Sequence, residues 1–219
     1  VTQISEEINY DGLTQYVRDD TRVSFPNSMV DRITPATTEE TVETFAGYVE
    51  NKDRCQWPVI AEDFTQWVLE DDFVAGHPSF EQFEDIHFVD NVAPYEDMKL
   101  RLLNGSHTAM AYMSRLAGLT NVDEAMKDSD IERFVSSYMD HATCSVPQVP
   151  GIDLEEYKQS LKSRFSNKAI SDLLERLCQD GSKKMVGFVL PVRNIRENTG
   201  QSDTVTHSNK HRYSSTNSI

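Results

Sequence analysis

Residues 94–118 read PYEDMKLRLLNGSHTAMAYMSRLAG, and this stretch decides the fold. Pro94 suits a first helical position, where its missing N–H costs nothing. Glu96 and Asp97 follow in the first turn, where the helix dipole favours negative charge. Gly118 is a natural stop. The pattern predicts a helix of about 24 residues with one internal glycine, Gly105. At roughly 100° per residue, Lys99 at about 0°, His107 at about 80° and Asn104 at about 140° share one broad face. Leu103 and Met110 lie on that face too, so it points inward.

Downstream, helices are expected over about Asn121–Lys127, Asp130–Asp140, Asp153–Ser163 and Lys168–Gln179, with Asp153 as an N-cap and Gly181 after the last. Upstream the pattern is mixed. Val23 to Ile33, VSFPNSMVDRI, is β-like with a Pro-Asn break. Thr37 and Glu40 read as a capping box for a helix from about Glu39 to Asn51. Phe64 to Leu69 has strand character, and Asp71 to Asp90 reads as loop, punctuated by Gly76 and Pro78. The residues after about 90 are therefore helical and those before are mixed.

The 219 residues carry 36 acidic and 21 basic side chains, a net charge of −15. Such an excess repels phosphate backbones, so no nucleic-acid partner is expected. The longest uncharged apolar-region stretch, Leu102 to Ser114, is too short and polar for a bilayer. No charged start precedes an apolar run, so no signal peptide is expected, and cytoplasmic localisation follows. The chain does not begin with Met, which suggests a segment before it. Cys55, Cys144 and Cys178 are odd in number and lack a CxxC pair, which fits a reducing compartment and no cysteine zinc site. Residues 193–219 hold four basic and two acidic residues among many Ser, Thr and Asn. They read as a disordered tail on an acidic body.

Lys, Asn and His on an inward face cost stability unless paired or used. Near the helix start, dipole and desolvation would both lower the pKa of Lys99, as a lysine base needs near neutral pH. Spacing alone also fits a solvated lysine, a helix-bonded asparagine and a satisfied core histidine. Along a regular helix Lys99 and His107 stand about 12 Å apart. Both meet one substrate only if the helix start is irregular or the substrate spans them. His77 and Glu81, near Asp71 and Asp72, could hold a metal, but a solvated acidic loop explains them better. No metal is expected.

MKLRLLNGSH, with K-x4-N-x2-H at Lys99, Asn104 and His107, resembles the signature of the polyol-specific long-chain dehydrogenases, the mannitol dehydrogenase family. FPNSMVDRITP, Phe25 to Pro35, resembles that family's second signature. AEDFTQWVLED and VPGIDLEEYKQSLKSRFSN are also similar to it, especially to its mannitol 2-dehydrogenase branch. The resemblance covers about residues 20–192.

The resemblance implies a mainly α fold. A multihelical substrate domain would span 61–192. Residues 1–60 would be a small α/β remnant at the end of a Rossmann-type domain. It implies zinc-independent hydride transfer between NAD and C2 of a hexitol, interconverting D-mannitol and D-fructose. Lys99 would be the general base, Asn104 an oxyanion-hole donor and His107 a substrate-orienting group. Asp31 matches a family active-site acid; an ion pair with Arg32 is its other reading. Arg176 matches a substrate-binding arginine, with Arg164 the competitor and a surface charge the alternative. A monomer that binds a small polyol or ketose is the expected state.

The sequence also departs from that family. A Rossmann cofactor site needs a Gly-rich βα turn, and the nine glycines include no GxG. The cofactor-binding half is therefore expected to be absent, and NAD cannot be told from NADP. After FVLP the family continues into helices while this chain turns polar; a shifted reading frame or a truncated gene product would explain such an end. One class of function is the substrate portion of a mannitol 2-dehydrogenase, inactive alone, with hexuronate reductase as the near alternative. The other is a non-catalytic helical remnant or interaction module.

Overall fold

Strand alternation at the N-terminal side and apolar helix faces beyond it meet in one core. The computed structural model describes residues 11–48, 57–170 and 172–192. The expected tail at 193–219, Cys55 and the end of the helix expected over 39–51 lie outside the described residues.

Helix α1 (Asp11–Arg18) precedes strand β1 (Ser28–Asp31). In β1, Met29 and Asp31 point inward and Ser28 and Val30 outward, the period-two pattern of a half-buried strand. Helix α2 (Glu39–Phe45) starts where expected, but its capping box lies one residue later. The Thr38 hydroxyl accepts from the Thr41 N–H at 3.2 Å, while the Thr37 hydroxyl donates to the Pro58 carbonyl at 2.7 Å.

Strand β2 (Gln66–Glu70) pairs antiparallel with β1, Val30 opposite Trp67. Strand β3 (Ile86–Val89) pairs parallel with β2, Val68 opposite His87. The expected loop over Asp71–Asp90 therefore contains a strand. Four residues, IHFV, are too short for a periodicity, and pairing across the sheet makes them extended.

The rod read over 94–118 is present, but it is not a uniform α-helix. Helix α3 (Ala93–Met98) passes into a π-helical segment at Lys99–Asn104, then into α4 (Gly105–Leu116). Gly118 ends it at φ +84°, a left-handed conformation that glycine takes without a Cβ clash.

Helix α5 (Val122–Ala125) is shorter than expected. Helices α6 (Ser129–Thr143) and α7 (Leu154–Phe165) are capped by Asp128 and Asp153, whose carboxylates accept the first orphan N–H groups. The helix expected over 168–179 is only α8 (Leu174–Cys178). The cause is a long-range bridge: Val122 N–H donates to Asp172 O and Leu174 N–H to Thr120 O, both at 3.0 Å. That holds 172–174 away from helical geometry. Gly181 does not stop the chain; it opens α9 (Gly181–Lys184), which runs into a second π segment, Met185–Val189.

Met29, Ile33 and Val68 from the sheet side share a core with Met98, Leu102, Met110, Val135, Leu161 and Phe165. Among the described residues no helix is long and apolar enough to cross a membrane.

Candidate active site

The π segment supplies the irregularity that the spacing argument required. Bonds from i to i+5 wind the backbone fewer degrees per residue than an α-helix does. Asn104 and His107 are thereby turned toward the azimuth of Lys99. All three line one cavity of about 250 Å³, together with Asp31 and Arg176. Five residues drawn from β1, the rod and α8 thus meet at one cavity. A cavity of this size is at the small end for ligand pockets.

Lys99 Nζ donates to the Val30 carbonyl at 2.5 Å. This reaches from the rod to the last residues of β1. The Asn104 side-chain oxygen is buried and has no hydrogen-bond partner among the described residues. Its polarity is therefore not spent inside the protein. The Asn104 backbone carbonyl accepts from the Thr108 hydroxyl at 2.8 Å, which steadies the turn.

His107 is 8% exposed and its ring stacks on Phe165 at 4.2 Å between centroids. Burial pushes its imidazole down to about 4; the nearby Asp172 carboxylate opposes this, and the Arg176 and Arg164 guanidiniums reinforce it. At neutral pH the ring is neutral, with one donor and one acceptor nitrogen.

Asp31 has no exposed surface. Its partner is not the adjacent Arg32 but Arg164, 133 residues away in sequence. Strand alternation explains this, since it turns Asp31 in and Arg32 out. Arg164 donates to Asp31 at 2.7 and 3.2 Å, and the Tyr157 hydroxyl donates to Asp31 at 2.7 Å. Burial and the facing Asp31 carboxylate raise the Tyr157 hydroxyl well above its ordinary pKa. Arg164 also donates to Glu62 at 2.9 and 2.7 Å and stacks on Phe64 at 4.0 Å. Arg164 is therefore spent in the core, whereas Arg176 lines the cavity. The Arg176 guanidinium pairs with the buried carboxylate of Asp172, donating from Nε at 2.9 Å and from one Nη.

Among the charged residues that line the cavity, sequence reasoning assigned no site role to Arg32, Asp172 and Lys184. Lys184 lies on α9 and donates to the Leu177 carbonyl at 3.1 Å. Nothing in a single GSKKM run distinguishes it from a surface lysine. Among the described residues no group of three or more His, Cys, Asp and Glu is placed to hold a metal. His77 stacks on Phe88 at 3.9 Å and stands 3.7 Å from Asp71 and 3.6 Å from Glu81.

Two family models match the chain. The mannitol dehydrogenase Rossmann domain matches residues 6–82. The mannitol dehydrogenase C-terminal domain matches residues 91–209, which runs past the expected start of the tail at 193. Mannitol dehydrogenase 2 of Saccharomyces cerevisiae is 46% identical over 171 residues, 78% of this chain and 34% of its own. Mannitol 2-dehydrogenase of Aspergillus niger is 40% identical over 185 residues, 82% of this chain and 36% of its own. The chain thus spans about a third of the length of the curated relatives it matches. Among solved structures, Pseudomonas fluorescens mannitol 2-dehydrogenase in ternary complex with NAD and D-mannitol superposes with a TM-score of 0.78 at 43% identity. That match covers 90% of this chain and 39% of the other. A D-sorbitol dehydrogenase in substrate-free form gives 0.77 at 34%, covering 89% and 40%.

Proposed function

This chain belongs to the mannitol dehydrogenase family, and from that premise we propose that it is the substrate-domain portion of an NAD-dependent mannitol 2-dehydrogenase. The reaction is oxidation of D-mannitol to D-fructose at C2. In this reading residues 1–60 end the dinucleotide-binding domain, 61–192 form the substrate domain, and 193–219 are a polar tail. The single observation that supports it best is the convergence of Lys99, Asn104, His107, Asp31 and Arg176 on one cavity.

Lys99 takes the proton of the C2 hydroxyl. The Asn104 carboxamide donates its N–H to the oxygen as charge develops there. Neutral His107 holds a neighbouring hydroxyl, giving one hydrogen bond and accepting another. Asp31 accepts three hydrogen bonds from protein and has no exposed surface, so it serves the polyol by fixing the wall of the cavity from behind. Arg176 spends two of five donors on Asp172 and turns others to the polyol.

The residues present lack the Gly-rich turn that holds the pyrophosphate of NAD. The chain's nine glycines include no GxG. No Gly-rich turn lets the backbone approach a pyrophosphate. The residues described carry the oxygen side of the reaction, and the chain alone gives no turnover.

A substrate panel on the chain joined to a complete cofactor domain tests this. NAD reduction with D-mannitol is expected, and it should be lost in Lys99→Ala. One observation favours a second reading. The cavity is lined by Arg32, Lys99, Arg176 and Lys184 against Asp31 and Asp172, a cationic excess in an acidic chain. A hexuronate carboxylate would suit it, and the same panel decides by which substrate turns over.

A further inference from the structure

We propose that Arg164 is a positioning residue for Lys99, acting through the end of β1; this rests on the reading of Lys99 as the base. Arg164, Asp31 and Glu62 have side chains 7%, 0% and 2% exposed. Well-packed apolar side chains of similar volume often hold a fold as firmly as buried ions do. Stability alone therefore does not account for this network.

Its geometry does. Glu62 Oε1 accepts from the Ile33 N–H at 2.5 Å, and the Glu62 N–H donates to the Ile33 carbonyl at 3.1 Å. Arg32 Nε donates to the Glu62 carbonyl at 2.9 Å. Arg164 grips Glu62 and Asp31 with one planar guanidinium. Tyr157 lies seven residues before Arg164 on α7, hence on the same helix face, and adds a third hold on Asp31. Residues 31–33 are therefore each held, Asp31 and Arg32 by their side chains and Ile33 by its backbone. The Val30 carbonyl, which accepts from Lys99 Nζ, shares a planar peptide unit with the Asp31 nitrogen. Fixing Asp31 aims that carbonyl, and the carbonyl places the amine. Lysine is a flexible stem with a point charge, so its location depends on such an acceptor.

The test uses the full chain labelled with 13Cε-lysine. The Lys99 resonance is identified by its loss in Lys99→Arg. In the wild type it stands apart from solvated lysines, and D-mannitol moves it. In Arg164→Met, with cooperative thermal unfolding retained, the resonance returns to the solvated position. Tyr157→Phe, which keeps ring and charges, moves it part of the way. A folded Arg164→Met with the Lys99 resonance unmoved overturns the proposal. If Arg164→Met does not fold, Tyr157→Phe decides by the same criterion. Failure of D-mannitol to move the wild-type resonance counts against the polyol reading and leaves the Arg164 result intact.

Discussion

Tyr138 lies across Gly105 so closely that a Cβ on that glycine would come within 2.2 Å of the tyrosine oxygen. Gly105 opens α4 just after the π segment, with an ordinary helical φ of −62°. It is needed there for room rather than for backbone freedom. Gly105→Ala should destabilise the chain by about 1–3 kcal/mol, the usual cost of overpacking. Tyr138→Phe in that background should recover part of it, because the buried hydroxyl has no partner among the described residues. Thermal unfolding of the two single variants and the double variant checks this. Equal losses in the single and double Gly105 variants would locate the strain elsewhere.

Burial of His107 ties stability to acid. Its pKa is near 4 folded and about 6.5 unfolded. Between those values the unfolded chain binds the extra proton, so stability falls as pH drops through that window. The shift corresponds to about 3 kcal/mol lost by pH 4. His107→Gln should flatten the difference in denaturant midpoint between pH 7 and pH 4.5. A variant with the same acid slope as the wild type would remove His107 from the account.

On a complete enzyme carrying these residues, Lys99→Ala should lower kcat by roughly 10²- to 10⁴-fold, the usual worth of a positioned base. Asn104→Ala should cost roughly 10²- to 10³-fold. Both should leave KM for the polyol nearly unchanged, since each acts on the oxygen as charge develops. Steady-state kinetics decide, and a raised KM with normal kcat would recast either residue as a binding group.

Asp153 accepts from the N–H groups of Glu155 and Glu156 at 2.7 and 3.1 Å. Asp153→Ala should cost about 1 kcal/mol, or roughly 2–4 °C in Tm for a chain of this size. Asp153→Ser should restore most of it. Calorimetry that shows no difference between the two would mean the cap contributes nothing.

The rod was legible because its ends carry strong local signals, Pro94 with acidic neighbours and Gly118. The caps at Asp153 and Thr38–Thr41 were legible to within a residue for the same reason. The π segment was not, because the shift from i+4 to i+5 bonding leaves no marker in KLRLLN. Strand β3 and the late start of α8 depend on partners far along the chain: β2 for one, Thr120 and Val122 for the other. The residue types of the cavity could be named from K-x4-N-x2-H, but their convergence needed the π turn. The other reading of Asp31, an ion pair with the neighbour Arg32, fails because adjacent residues along a strand face opposite sides; the partner it has instead, Arg164, lies too far along the chain to be read from the sequence.

Asp31 and Glu62 fall within the residues matched by one family model, and Tyr157 and Arg164 within those matched by the other. Their hydrogen bonds cross the seam between the two. An exchange of segments with a relative at the boundary near residues 83–90 would therefore separate carboxylates from their guanidinium, even though the boundary looks free in the sequence. Crossovers that survive should be those in which both parents keep all four side chains. Such a seam has to be exchanged as a unit rather than as two interchangeable parts.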